Sequence, residues 1–277
     1  MDTGELTGKV AFVTGAAKGQ GRSHCVRLAE EGADILALDI CANLPATAYA
    51  QGTPEDLEET VRLVEKTGRR IVARQADTRD ATAVQAVVDE GVADFGRLDI
   101  VVANAGIISI KPATQITAED WRDVIDVNLT GSWNTVKATL PTLLAQGSGS
   151  IIITSSAAGI KGPPNMAHYS AAKTGLIGLM RSLANELGPS GIRVNTVNPT
   201  TVDTDMVHWD EAYAAFRPDL TSPTRADVEP VFASLNVLPV PWIQPADVSN
   251  AVLWLASDRA RYVTGVVLPV DAGTCIK

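Results

Sequence analysis

Cysteine and histidine are scarce in this chain of 277 residues, which holds three of each. The cysteines, Cys25, Cys41 and Cys275, are too few and too scattered for a disulfide framework or a zinc site. The histidines also lie far apart, and no cluster of three His, Cys or Asp side chains is present, so we predict no metal. We expect the cysteines to be small buried hydrophobic residues in a reducing cytoplasm.

Positive charge and long hydrophobic runs are lacking as well. The 23 Lys and Arg residues against 32 Asp and Glu residues give a formal net charge of −9, which disfavours nucleic acid or an anionic membrane as a partner. The longest apolar stretch, from Leu98 to Ile110, is broken by Asp99 and Asn104 and is too short to span a bilayer. The acidic beginning of the chain does not have the pattern of a secretory signal. We therefore predict a soluble, cytoplasmic protein.

What the chain does contain is a regular alternation of β-branched segments and helical apolar repeats. The predicted strands are Val10–Thr14, Asp34–Asp39, Ile71–Gln75, Ile100–Ala103, Ser150–Ser155, Arg193–Asn198 and Gly265–Val270. Between them, apolar residues recur at i, i+3, i+4 and i+7, as they do from Val84 to Gly91. Strands that are apolar throughout and alternate with such helices predict an α/β fold, a doubly wound parallel sheet of about seven strands. A closed barrel would need eight strand–helix units.

No linker divides the chain, so we predict that residues 1–277 form a single domain. Two segments depart from the regular alternation. Cys41–Asp56 is longer than the connection between a strand and its helix requires, and Thr200–Pro245 is rich in proline and aromatic residues. Because long irregular segments in compact domains commonly serve as lids or binding loops, we predict a cofactor-covering loop at 41–56 and a substrate loop at 200–245.

A glycine-rich turn follows the first predicted strand and opens the first helix. Its residues of interest are Gly15, Lys18, Gly19, Gln20 and Gly21. Such a turn lets backbone N–H groups and a helix N-terminus approach a pyrophosphate. Asp39 ends the next strand roughly 20 residues later, where a dinucleotide fingerprint has its ribose-binding acid. The pattern predicts a dinucleotide site.

The spacing of this turn, TGxxxGxG, resembles that of the short-chain dehydrogenase/reductase family, and further motifs of the family follow in order. They are Asn104-Ala105-Gly106, Asn128 within VNLTG, Ser156, Tyr169 and Lys173 within YSAAK, and Pro199 with Thr204. The resemblance covers Gly8 to Gly273, and Thr200 stands where the family has glycine. It implies a Rossmann-type fold and an oxidoreductase whose catalytic residues are Asn128, Ser156, Tyr169 and Lys173.

The resemblance also implies a set of residues around the cofactor. They are Gly15, Lys18, Gly19, Gln20, Gly21, Asp39, Ile40, Asp77, Thr78, Asn104, Ala105, Gly106, Tyr169, Lys173, Pro199, Val202 and Thr204. Asp77 ends the third predicted strand, where it can meet the adenine or simply cap the next helix.

Shorter stretches resemble one branch of the family, the mycofactocin-coupled, carveol dehydrogenase-like oxidoreductases. They are AAKGQGRSH ending at His24, TPEDLEETV after the long loop, and VLPVDAG near the end of the chain. This resemblance implies a captive cofactor reoxidised by an external carrier, mycofactocin. The family also implies a homotetramer, for which Trp133, Leu140, Leu179 and Leu183 offer apolar surface.

The chemistry of the candidate residues follows from their types. Tyr169 and Lys173 lie one helical turn apart and share a face, so an ammonium at Lys173 is expected to lower the pKa of the phenol. Ser156 can donate to the substrate oxygen that Tyr169 protonates or deprotonates. Asn128, by resemblance, holds a water that connects Lys173 to solvent. Taken singly, each residue has an ordinary structural role as an alternative. His168 is interpreted as lining the pocket, and His24 as a helix residue whose hydrogen bonds are satisfied.

Charge favours NAD as the cofactor. Asp39 would repel a 2′-phosphate, and Ile40 and Cys41 follow it where a phosphate clamp would need arginine. Lys18 points to NADP instead, since related NADP-dependent enzymes often have a basic residue there. We predict NAD and a small apolar secondary alcohol or ketone as substrate. An NADPH-linked ketoreductase and an inactive dinucleotide-binding sensor remain alternatives.

The apolar character of the substrate is inferred from five residues near the expected mouth of the site: Ile160, Met166, Trp209, Tyr213 and Trp242. Whether they line a pocket or only pack the substrate loop stays open. The loop at 41–56 contains Leu44, Pro45 and Tyr49, which suit the covering of a ligand. Because an ordered cover slows release more than entry, we predict that NAD stays bound through purification.

Overall fold

The computed structural model describes residues 4–277 and contains a seven-stranded parallel sheet. The strands are β1 (Val10–Thr14), β2 (Asp34–Asp39), β3 (Ile71–Gln75), β4 (Ile100–Ala103), β5 (Gly149–Thr154), β6 (Ile192–Pro199) and β7 (Val267–Val270). Their order is β3-β2-β1-β4-β5-β6-β7. The chain therefore reverses its direction of growth between β1 and β4, and open α/β sheets bind ligands at such a point. The predicted α/β fold is confirmed.

The described part of the chain contains ten α-helices, which cover the sheet or lie in the segments between its strands. They are α1 (Gly19–Glu30), α2 (Pro54–Glu65), α3 (Ala81–Phe95), α4 (Ala118–Ile125), α5 (Gly131–Gln146), α6 (Ala158–Lys161), α7 (Ala167–Leu187), α8 (Asp210–Phe216), α9 (Arg225–Leu235) and α10 (Pro245–Ala256). On β1, Ala11 and Val13 pack in the core beneath α1 and α10, whereas Val10 and Phe12 pack in the core beneath α3, α5 and α7. Because successive strand residues face opposite sides, a strand buried on both faces must be apolar throughout.

The first four predicted strands have the observed bounds, and the last three differ by one or two residues at their ends. Ser156 does not end β5 but lies two residues beyond it, in the loop that precedes α6. At the start of α2, Thr53 and Asp56 form a capping box. Residues 200–245 are less irregular than expected, since they contain α8 and α9.

One part of the predicted oligomer surface is wrong. Leu183 is buried in the core, and Leu140 and Leu179 are half-buried and pack against that core. Trp133 alone among the four is exposed. The homotetramer stays a prediction.

Within residues 4–277, no helix is long and apolar enough to cross a bilayer. The same residues include no group of three or more His, Cys, Asp or Glu side chains placed to hold a metal ion. All three cysteines are free thiols, and Cys25 and Cys41 are buried.

Candidate active site

A cavity of about 460 Å³ opens at the carboxyl ends of the central strands, where the strand order reverses. Thirteen predicted cofactor residues line it: Gly15, Lys18, Gly19, Gln20, Gly21, Asp39, Ile40, Asp77, Thr78, Asn104, Ala105, Gly106 and Thr204. Pro199 and Val202 lie outside this lining, and Val202 packs in the core beneath. Tyr169 and Lys173 are also outside the lining, so the cofactor contacts of these four stay predictions.

The glycine turn has the shape of a cradle because side chains do not fit in it. Gly15 and Gly19 adopt left-handed backbone conformations, with φ values of +68° and +54°. A Cβ at Gly21 would lie 1.8 Å from the carbonyl oxygen of Gly15. The start of α1 is thus pressed against the turn, with its unpaired N–H groups at the cavity. These features fit the diphosphate of a dinucleotide.

Asp39 is held at the cavity by the backbone. Its Oδ2 accepts a hydrogen bond from the Ala17 N–H at 2.9 Å, and its Oδ1 accepts one from the Cys41 N–H at 2.9 Å. The nearby cation Lys18 forms an ion pair with Asp205. The carboxylate of Asp39 is therefore fixed where it can accept a hydrogen bond from a ribose hydroxyl and would repel a phosphate.

Asp77 has a different partner from either of those expected. It accepts a hydrogen bond from Arg79 Nε at 2.8 Å. The cap of α3 is Asp80, whose side chain accepts from two backbone N–H groups of the first turn. The capping alternative for Asp77 is therefore wrong, while its contact with adenine stays a prediction.

Asn104 ties the ends of three strands together. Its Nδ2 donates to the Thr14 carbonyl at 3.1 Å, and its Oδ1 accepts from Thr154 Oγ1 at 3.3 Å. These bonds join the ends of β1, β4 and β5, and so set the position of the loop that carries Ala105 and Gly106.

Asn128 lies in a π-helical turn, Asp126–Thr130, between α4 and α5. Its Nδ2 donates to the carbonyl oxygens of Ile107 (2.9 Å) and Val124 (2.8 Å). Its Oδ1 is buried and has no partner. A purely structural role for Asn128, in which it satisfies nearby backbone groups, therefore accounts for its amide nitrogen but not for its amide oxygen. A Cβ at Gly106 would lie 2.7 Å from this oxygen and 3.3 Å from Lys173 Nζ, so both polar groups face the same glycine of the cavity wall.

Lys173 and Tyr169 are buried together on α7. Lys173 is 3% exposed, and its Nζ donates to the Thr154 carbonyl at 2.8 Å and lies 5.6 Å from the Tyr169 ring centroid. Burial lowers the pKa of Lys173 to about 7. Burial raises the pKa of Tyr169, against an opposing hydrogen bond with Ser156. For the polypeptide by itself, the expected lowering of the tyrosine pKa is therefore wrong, because burial disfavours charge on both groups.

Ser156 is hydrogen-bonded through its hydroxyl to Tyr169 and to the backbone. Its Oγ accepts from the Ala158 N–H at 3.1 Å, and its backbone carbonyl accepts from Asn198 Nδ2 at 3.0 Å. These contacts fix the loop after β5. The fold thus brings together all four candidate catalytic residues: Asn128, Ser156, Tyr169 and Lys173.

Comparison with known proteins agrees with this geometry. The pattern of the family described as short chain dehydrogenase matches residues 9–213. The chain belongs to this family. It is 50% identical over 274 residues to (−)-trans-carveol dehydrogenase of Rhodococcus erythropolis, covering 98% of this chain and 99% of the relative.

Solved structures of the short-chain dehydrogenases are also similar over nearly the full length. The crystal structure of carveol dehydrogenase from Mycobacterium avium in complex with NAD matches with a TM-score of 0.98 at 56% identity, covering 99% of this chain and 100% of that one. A short chain dehydrogenase from Mycobacterium paratuberculosis bound to NAD matches with a TM-score of 0.90 at 48% identity, covering 99% and 100%.

The long loop of this short-chain dehydrogenase lines the cavity, through Leu44, Tyr49 and Gly52 among others. It also makes contacts outside the cofactor cavity that the sequence does not predict. Leu44 packs in the apolar cluster that contains Tyr169, and Tyr49 packs against Trp209. Both partners lie more than a hundred residues along the chain, and no local signal in the sequence indicates the contacts.

The five aromatic and apolar residues expected around the substrate have three different environments. Met166 packs against the Tyr169 cluster, and Trp209 packs against the long loop. Tyr213 and Trp242 pack with α8 and α9 of the substrate loop. For these two residues, the interpretation that they only pack the substrate loop is correct. Ile160 is exposed.

Two histidines of the dehydrogenase are fully buried. His168 Nε2 hydrogen-bonds with Ser109 Oγ at 2.7 Å and does not line the cavity, so the pocket interpretation of this residue is wrong. His24 Nδ1 hydrogen-bonds with Ser249 Oγ at 2.8 Å. Burial lowers the pKa of His24 to about 3, and a contact with the Asn104 side chain offsets this only in part.

The buried His24 should make the dehydrogenase sensitive to acid. Between pH 6.5 and about 3 the unfolded chain binds a proton at His24 that the folded chain excludes, so stability falls as the pH falls. We expect the unfolding free energy of the wild type, relative to His24→Gln, to drop by about 1.4 kcal/mol per pH unit below pH 6. Urea titrations at several pH values measure this. The difference should be constant from pH 7 to 9, and parallel curves down to pH 4 would contradict the prediction.

Proposed function

We propose that this protein is an NAD-dependent dehydrogenase that interconverts small apolar secondary alcohols and their ketones. The observation that carries the proposal is the placement of Asn128 Oδ1 and Lys173 Nζ, with Tyr169 beside them, behind Gly106 at one end of the cavity. Asp39 is fixed at the same cavity. The relatives named carveol dehydrogenase, one of them in complex with NAD, support the reaction class and the cofactor.

The residues of the cavity suit NAD in several ways. The glycine turn and the start of α1 would hold its diphosphate, and the carboxylate of Asp39 would accept its ribose hydroxyl. NAD supplies the hydride acceptor of the reaction and, when oxidised, a positive charge. Lys18, as a cation beside the glycine turn, favours an NADPH-linked ketoreductase instead. Because its charge is already paired with Asp205, it would attract a 2′-phosphate only weakly.

In the proposed reaction, the Tyr169 oxygen takes the hydroxyl proton of the alcohol while the carbinol carbon loses a hydride. The Ser156 hydroxyl donates to the same substrate oxygen and orients it. Lys173, buried and bonded to Thr154, stabilises negative charge on the tyrosine whenever it carries its proton. The unpartnered Oδ1 of Asn128 would hold a water that passes the proton onward from Lys173. In ketone reduction each proton moves in reverse.

A panel of secondary alcohols tests the proposed activity. Purified protein is assayed with free NAD, with NADP, and with an artificial electron acceptor in place of added nucleotide. We expect turnover of apolar secondary alcohols, and NAD rather than NADP in mass spectra of the denatured protein. NADP in those spectra would favour the ketoreductase alternative. Retained NAD without turnover of any alcohol or ketone would favour the inactive sensor.

We further propose that NAD stays bound between turnovers and is reoxidised by an external carrier, mycofactocin. The long loop supports this by lining the cavity through Leu44 and Tyr49. Lys18 of the glycine turn contacts both the substrate loop and the long loop. It pairs with Asp205 of the substrate loop and donates to the Ala50 carbonyl of the long loop at 3.4 Å. Release of the cofactor therefore requires several contacts to break together.

Exchange of isotopically labelled NAD into the native protein measures this retention. We expect exchange over hours rather than seconds, together with turnover that depends on an added electron acceptor. A Lys18→Ala variant should exchange several times faster, because the ion pair and the contact with the loop are both lost. Rapid exchange by the wild type, or steady NADH production without an acceptor, would show that the loop is an ordinary surface insertion.

A further inference from the structure

The long loop at 41–56 makes a specific contact with the substrate loop through Tyr49. Tyr49 is 8% exposed, and its hydroxyl oxygen accepts a hydrogen bond from the Ile108 N–H at 3.1 Å. Its ring centroid lies 5.8 Å from that of Trp209, at an interplanar angle of 39°. Trp209 is 9% exposed, and its Nε1 donates to the Met206 carbonyl at 3.0 Å. The two rings join segments that lie 160 positions apart in sequence.

Two apolar clusters meet at this contact. Leu44 and Ala46 pack in a cluster with Tyr169, the proposed proton carrier. Tyr49 packs in a second cluster with Trp209. Ile108 packs against both clusters, and its backbone N–H is the group that Tyr49 binds. The loop therefore touches the surroundings of the reacting oxygen as well as the cofactor cavity.

We propose that Tyr49 is a positioning residue that sets how large an alcohol can approach Tyr169, an inference that rests on the proposed function. Its ring packs against Trp209, and its hydroxyl accepts a hydrogen bond from the backbone at Ile108. Since both rings are rigid and nearly buried, they fix the packing next to the cluster that contains Tyr169, with little room to adjust. Because Tyr49 also lines the cofactor cavity, one side chain couples the retention of NAD to the shape of the substrate space.

Two variants of Tyr49 separate the ring from the hydroxyl. In Tyr49→Ala the support of Trp209 is lost, and we expect KM for a compact secondary alcohol to rise about tenfold while kcat changes less than about threefold. Bulkier alcohols should become better substrates relative to compact ones. Tyr49→Phe keeps the ring and should restore most of this selectivity. Tyr262→Ala, at a tyrosine that is 89% exposed, is the matched control and should leave the constants unchanged.

A merely structural role would lower stability and kcat for every alcohol without changing the order of preference, and that result would overturn the proposal. The rate of NAD release gives a second readout that does not depend on alcohol turnover. It is measured in Tyr49→Ala, Trp209→Ala and the double variant. We expect each single variant to release NAD faster and the double variant to be no faster than the singles, because one contact is lost in all three.

Additive effects on release would overturn the coupling. If the wild type oxidises no alcohol, the proposed function fails, and this cycle still decides whether Tyr49 and Trp209 act together. If NAD is not retained, the same cycle is run on the dissociation constant for added NAD, with the same expected and opposing results.

Discussion

Tyr169→Phe should lower kcat for secondary alcohols by about 10³-fold, within the range typical for loss of a general acid–base group. The ring packs in an apolar cluster with Val124 and Ala158, and phenylalanine preserves that packing. The variant loses only the hydroxyl that, in the proposed mechanism, exchanges a proton with the substrate oxygen. The measurement is initial-rate kinetics with the best alcohol of the panel, together with the NAD content and the melting temperature of the variant.

NAD content and melting temperature should stay close to those of the wild type, which separates lost chemistry from lost structure. Tyr213→Phe is the matched control, because it removes a similarly buried tyrosine hydroxyl that hydrogen-bonds with His208 at 2.8 Å in the lid. It should change kcat far less. A Tyr169→Phe protein that keeps full turnover would rule out the proposed mechanism.

Gly21→Ala should abolish the binding of NAD, with recovered cofactor below about a tenth of the wild-type amount. The new Cβ would lie 1.8 Å from the Gly15 carbonyl oxygen and 3.0 Å from Asn104 Nδ2. Backbone at the turn must move to admit it, and the start of α1 moves away from the diphosphate. Mass spectrometry of the denatured protein and titration with added NAD measure the loss.

Gly188→Ala is the control for this substitution, since a Cβ there meets no atom within 4 Å and the backbone is right-handed at φ −53°. It should leave NAD content unchanged. If Gly21→Ala does not fold, Gly19→Ala provides the test, because its Cβ meets only the Thr204 side chain, at 3.3 Å. The left-handed φ at Gly19 costs about 1–2 kcal/mol for alanine, so weakened NAD binding in a folded protein is expected. Normal NAD binding by a folded Gly21→Ala protein would contradict the proposal that the glycine turn holds the diphosphate.

The sequence is most informative where structure depends on neighbours along the chain. The strand bounds of Val10–Thr14 and Ile100–Ala103 are predictable because a strand buried on both faces must be apolar throughout. The helix start at Thr53-Pro54 is predictable because its capping box spans only four residues. The α7 turn that pairs Tyr169 with Lys173 is equally local.

Local patterns fail where burial decides the outcome. Spacing correctly places Lys173 next to Tyr169, but it suggests that the pKa of the tyrosine falls. The structure reverses that direction, because both groups are enclosed by residues from distant segments and the loss of water disfavours either charge. The expectation that Leu183 offers surface to an oligomer fails in the same way, because the core buries this residue.

The sequence by itself therefore determines the α/β fold, the glycine turn, the acid at Asp39 and the order of the four candidate catalytic residues. Each depends on the local pattern of a strand, a turn or a helix. The tertiary structure alone decides that the long loop meets the substrate loop through Tyr49 and Trp209, and that Lys18 pairs with Asp205. These partners lie far apart along the chain, and only the packing of the folded sheet brings their side chains together.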